Sequence, residues 1–244
     1  MSARMTPDIP LDDACRLGRQ SRRRQVLGRL AGHDVGPPLT AGRLARHVAA
    51  ADSRQSPADV PRDACERVHL ELRHCHLPHL AATGVVDYCV DTDRLVGWVD
   101  DPTAILPHVA ATTLAECVSA DGEEALDVSY DLLSHPDRRT LLWVLSRCAL
   151  PATLETLAAH LLLADTTRPA GLVESLQSAE EGSEWDRLNV RLTHQHVPKL
   201  AAWGVVAVDD GGTTVLRTCV DASIDWRDCS PSASREDSGE ESTD

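Results

Sequence analysis

Residues 67–87, RVHLELRHCHLPHLAATGVVD, return 120 positions later as residues 187–207, RLNVRLTHQHVPKLAAWGVVA. Eleven of the 21 positions are identical without a gap, among them Leu72/Leu192, His74/His194, His76/His196, Pro78/Pro198, Leu80/Leu200 and Gly84/Gly204. Self-similarity at a fixed spacing marks a structural unit made twice. Upstream the match continues at shifted offsets: Leu17, Arg23, Arg24, Leu27 and Leu30 answer Leu132, Arg138, Arg139, Leu142 and Leu145, and Thr40, Leu44, Ala45 and His47 answer Thr153, Leu157, Ala158 and His160. The copies therefore span residues 11–99 and 126–220, each the size of a small domain. Residues 100–125 read as a linker with a short helix around Ala110 to Val118. Residues 221–244, rich in Ser, Asp and Glu, read as an acidic tail expected to be disordered, with Ile224 and Trp226 as its few apolar side chains.

Within each copy the periodicity predicts three helices and a hairpin, hence a mainly α fold with small β wings. In the second copy a short helix around Leu126 to Leu133 stops at Ser134-His135, and Pro136 suits the first position of the next helix. Thr40 and Thr153 are placed to cap the helix that follows each of them. The third helix opens on Asp63-x-x-Glu66 and Ser183-x-x-Asp186, a capping-box spacing. It buries Leu72, His76 and Leu80, or Leu192, His196 and Leu200, and stops at Gly84 or Gly204. Pro78 and Pro198 fall inside it and are expected to kink or divide it. Runs rich in valine around acidic turns at 91–93 and 209–212 then predict hairpins. Helix, helix, helix, hairpin is the plan of a winged helix-turn-helix domain, here in tandem.

The segment His76 to Val86, repeated at His196 to Val206, resembles the HLxxLxxxGLV run that ends the recognition helix of many prokaryotic winged-helix regulators. The HxHLPxL form, with a double-arginine helix upstream and an acidic wing, is similar to a haloarchaeal winged-helix family classed as a domain of unknown function and often found in tandem. The resemblance covers most of the chain and implies DNA binding and transcriptional regulation.

The charge balance is 24 basic against 38 acidic residues, −14 net, with Lys199 the sole lysine and no phenylalanine. Such a composition resembles proteins of organisms that keep molar salt in the cytoplasm, and a halophilic archaeon is expected by that analogy. At about 1 M salt the Debye length falls to about 3 Å, so net acidity loses its veto over nucleic-acid partners. No apolar run approaches the roughly 20 residues that cross a bilayer. The start, Met1 to Asp13, lacks the apolar stretch of a signal peptide. A soluble, cytoplasmic protein without a membrane partner is expected. The eight cysteines form no CxxC pair, and free thiols are expected.

Nine arginines, at 16, 19, 22, 23, 24, 29, 43, 46 and 54, face only Asp34 and Asp52 between residues 16 and 54. Arg22, Arg23 and Arg24, with Arg138 and Arg139 in the second copy, are candidates to neutralise phosphates. The alternative is a solvated face paired with acidic surface elsewhere in the protein. In the third helix, Arg67, Arg73 and His74 with Arg187, Arg191, Thr193 and His194 are candidates for base contact, since Arg reads guanine in bidentate fashion. An ordinary mixed-charge face is the alternative there. His74 and His76, two apart on a helix, point to different sides and cannot share an ion, and no metal is expected. Asp91, Asp93, Asp209 and Asp210 in the wing turns would repel a duplex at low salt. Walker loops, GxSxG elbows and HExxH motifs are absent, so neither an enzyme nor a cofactor is expected. The expectation is a DNA-binding transcriptional regulator acting on double-stranded DNA, with room for a homodimer. Its rival is a protein-interaction module that kept the fold and lost DNA binding.

Overall fold

The computed structural model describes residues 9–31, 39–98, 103–164 and 184–231. They belong to two compact units, Met1–His108 with Asp121–Ser134, and Val109–Ala120 with His135–Asp244. Both are mainly helical with small antiparallel sheets. No helix among the described residues is long and apolar enough to cross a membrane.

Unit 1 runs α1 (Leu11–Gly18), α2 (Ser21–Ala31), α3 (Ala41–Ser53), α4 (Arg62–Glu71), a π-helical turn (Leu72–His76), α5 (Leu77–Ala82), β1 (Val86–Cys89) and β2 (Arg94–Trp98). The next helix, α6 (His108–Ala115), falls almost wholly to unit 2, whereas α7 (Gly122–Leu133) returns to unit 1 and packs on α1. The compact units thus do not follow the repeat boundaries, because the helix that opens the second copy completes the first core. Gly18 is required there: a Cβ would strike the ring of the buried Tyr130 on α7. Leu17, Leu27, Leu44, Leu72, Leu77 and Leu80 fill the rest of the core, the period expected of amphipathic helices.

Unit 2 continues with α8 (Pro136–Leu145), β3 (Ala152–Thr153), α9 (Leu154–Ala164), α10 (Glu184–Arg191), a second π turn (Leu192–His196), α11 (Val197–Ala202), β4 (Val206–Val208) and β5 (Thr214–Thr218). Pro136 opens α8 as expected. Thr40 and Thr153 accept the N–H groups of Arg43 and Thr156 at 3.1 and 3.2 Å. The spacing expected to cap α4 does not do so: Pro61 is the cap residue, and Glu66 instead accepts from Arg62 Nε at 2.7 Å. Ser183, expected in the same role, lies outside the described residues.

The expected kink in the third helix resolves into a π turn in both copies, at positions matched by the repeat offset. A regular helix would drive the proline ring into the carbonyl four residues back. The wider π turn avoids this, with Leu77 N–H donating to Leu72 O and Val197 N–H to Leu192 O, five residues back. Each hairpin also carries an irregularity at a matched place, Asp87/Tyr88 and Ala207/Val208. Each gains a further partner that the periodicity did not predict: β3 pairs with β5, and Thr40 bridges Arg94.

The expectation of a disordered tail from residue 221 is corrected for 221–231. β6 (Ile224–Asp225) and β7 (Ser230–Pro231) form a small hairpin. Ile224, Trp226 and Cys229 are buried, and Trp226 Nε1 donates to Asp221 O at 2.7 Å. One large aromatic anchor is enough to order a polar segment whose acids cap its own turns. Residues 232–244 lie outside those described. All eight cysteines are free thiols.

Candidate nucleic-acid interface

In unit 1 the third helix buries Val68, Leu72 and Leu77 and turns Arg67, Leu70 and His74 to solvent. In unit 2 it buries Leu188, Leu192 and Val197 and exposes Arg187, Val190 and His194. Residues three and four apart line one helix stripe, so each copy presents arginine, aliphatic and histidine in the same order at matched positions. Arg67 and Arg187 make no ion pair among the described residues. Leu70 and Val190 are each 57% exposed. The other expected contacts are engaged inward. Arg73 is half-buried, 4.0 Å from Asp93. Arg191 Nη1 pairs with Asp137 Oδ2 at 2.7 Å, and Thr193 is half-buried.

The double arginines are corrected more sharply, because the helices that carry them turn Arg24, Arg138 and Arg139 into the protein and leave Arg23 half-buried. Arg24 is buried, donating to Gly18 O and to the carboxylates of Asp127 and Glu123 on α7. Arg138 and Arg139 are buried as well, and Arg139 Nε donates to Arg227 O at 3.2 Å. Arg22 pairs with Asp52 and Glu71, and Arg23 donates to Arg16 O at 3.0 Å. Arg16 and Arg19 pair with Asp13 and Asp131. Much of the basic stretch is therefore internal pairing, while Arg46 on α3 stays exposed.

Arg22–Glu71 and Asp137–Arg191 occupy matching places in the two units with the charges exchanged, so the link from the second helix to the third survives in reversed polarity. His76 and His196 lie beside these pairs. Burial, then the guanidiniums of Arg23 and Arg22, hold the His76 imidazole below its usual range. His196 is buried, as its place among the leucines predicts. Its Nε2 lies 3.5 Å from Asp137 Oδ2, and the adjoining His196 ring and Arg191 hold the Asp137 carboxyl low.

Two of the four acids in the hairpin turns serve the turns themselves. Asp93 has positive φ and accepts from Tyr88 at 2.8 Å, with His69 Nε2 at the same distance. Burial and that bond push the Tyr88 hydroxyl up to about 12. Asp209 accepts the N–H groups of Thr213 and Thr214 at 2.7 and 2.9 Å. Asp91 and Asp210 remain exposed.

Several residues of interest escaped sequence reasoning. Val96 and Leu216, again a matched pair, are 71% and 47% exposed on the second strand of each hairpin; alternation along the strand could have placed them outward. His135, Asp137 and His196 converge in unit 2 with one ligand atom of each within 4.8 Å of the others. No sequence spacing signals that set, since 59 residues separate Asp137 from His196.

The sequence model of one family, a domain of unknown function (DUF7344), matches residues 16–96 and again residues 130–216. No curated protein and no solved structure matches the chain.

Proposed function

Because the chain belongs to the DUF7344 domain family, whose domain it carries twice, we propose that it is a DNA-binding transcriptional regulator built from two winged helix-turn-helix domains. The observation behind this reading is the exposed stripe of like chemistry in both copies, Arg67–Leu70–His74 and Arg187–Val190–His194, where the neighbouring exposed position Cys75/Gln195 has changed. Its chemistry suits a major groove: arginine pairs with guanine O6 and N7, an aliphatic side chain meets the thymine methyl, and histidine can donate or accept. Arg46 on the preceding helix supplies a cation for the phosphate backbone, which positions without specifying. The hairpins, with Val96 and Leu216 outward, act as wings against the neighbouring groove.

The acidic, lysine-poor surface is that of a cytoplasmic protein of a halophilic archaeon, where salt screens the repulsion from Asp91 and Asp210. Two joined domains raise the effective concentration of the second contact whenever both engage one duplex. The exposed aliphatic pairs also suit a protein partner, and an interaction module is the second reading. Fluorescence anisotropy with labelled genomic duplexes, from about 0.1 to about 3 M KCl, separates the two readings. A regulator binds saturably at molar salt and weakens at least about tenfold in the double variant Arg67→Ala/Arg187→Ala. Absence of saturable binding at every salt concentration sinks the reading in favour of the module.

A further inference from the structure

We propose that unit 2 binds one divalent transition-metal ion of the zinc class between His135, Asp137 and His196. His135 is the cap residue of α8, Asp137 lies in its first turn, and His196 closes the π turn of the third helix. The two imidazoles meet edge to face with centroids 4.8 Å apart. His196 is 1% exposed, its Nε2 stands 3.5 Å from Asp137 Oδ2, and neither ring nitrogen has a well-formed hydrogen bond. Buried polar groups are rarely left so, and a ring aimed at a carboxylate and a second imidazole is one that a metal ion satisfies. Two histidines and an aspartate with a fourth position open to water is a set that zinc accepts.

Tetrahedral donors sit about 3.3 Å apart around zinc, so the ion must draw the group together. His135, only part-buried at the helix start, can make that shift. Two contacts oppose it. Arg191 Nη1 already holds Asp137 Oδ2 at 2.7 Å, leaving Oδ1 for the ion. His135 Nδ1 accepts the Asp137 N–H at 3.2 Å, and ligation through Nε2 would move the ring proton to Nδ1 and end that cap. Both costs make the ion exchangeable with solution rather than permanent. Unit 1 cannot do the same, because Gln20 and Arg22 stand where the second copy has His135 and Asp137, and a guanidinium beside His76 repels a cation. One site per chain follows. The ion would tie the start of α8 to the π turn two residues beyond His194. Only this effect on the outward helix face rests on the DNA reading.

Titrating the full metal-free chain with Co2+ tests the site without any DNA. The expected signal is d–d absorption saturating at one equivalent, without thiolate-to-cobalt charge transfer, and reversed by Zn2+. His135→Asn keeps an acceptor for the cap while removing the imidazole, and weakens binding at least about tenfold. Asp137→Asn does the same, and His76→Gln leaves binding unchanged. Far-UV circular dichroism checks each fold, and if Asp137→Asn unfolds, His135→Asn decides alone. No saturable signal, a signal carried by thiolates, or parental affinity in a folded His135→Asn variant would overturn the proposal.

Discussion

Arg24 directs its guanidinium to Gly18 O, Asp127 and Glu123, with the ring of Tyr130 5.6 Å from its Cζ. A buried cation held this way is structural, because removing it empties its place beneath Tyr130, unpairs Asp127 and Glu123 and leaves the Gly18 carbonyl without its donor. Arg24→Ala is expected to cost about 2 kcal/mol or more, read as a fall in the urea midpoint of unfolding. A variant as stable as the parent would return Arg24 to the list of surface cations. In the sequence, Arg22, Arg23 and Arg24 look alike, three neighbours in a basic run. What separates them is the 100° step per residue of a helix, which turns Arg24 under α7 and leaves its neighbours part-exposed. That acids 99 and 103 residues away receive it could not be read from local pattern.

At the scale of elements, the duplicated third helix and hairpin repeat three departures from regular geometry: the π turn, the left-handed glycine and the strand irregularity. Gly84 and Gly204 sit at φ 75° and 77°, and each ends its helix through paired bonds, as in Val205 N–H to Leu200 O at 3.0 Å. Glycine is there because an L side chain in that region is strained. Gly204→Ala is expected to destabilise by about 1–2 kcal/mol in denaturant unfolding. The new methyl would also meet Ser119 Oγ, a hydroxyl that can rotate away. Adding Ser119→Ala should therefore recover little of the loss, and full recovery would show that steric conflict, not backbone conformation, is the cost. The glycine stop and the hairpin turns were legible because their residue types serve only a few backbone shapes. The π turn was not, since a proline inside a helical pattern announces trouble without saying how the backbone absorbs it.

For the molecule as a whole, the compact units and the sequence repeats are cut at different places. A fragment of residues 1–108 holds the first repeat yet lacks α7, and with it the partners of Arg24 and the ring above Gly18. A fragment of residues 1–134 should unfold cooperatively at a higher urea midpoint than residues 1–108; equal midpoints would show that α7 contributes nothing to unit 1. The amino-acid sequence by itself determined the duplication, the order of helices and hairpins, the core leucines and the outward Arg67, His74, Arg187 and His194. These follow from periodicity and residue type, which act over a few neighbours along the chain. Only the tertiary structure decided that Arg24, Arg138 and Arg139 lie inside, that α7 completes unit 1, that Trp226 orders residues 221–231, and that His135, Asp137 and His196 meet. Each of these depends on contacts between segments far apart in sequence, chosen by burial and charge pairing across the whole fold, and no local pattern encodes them.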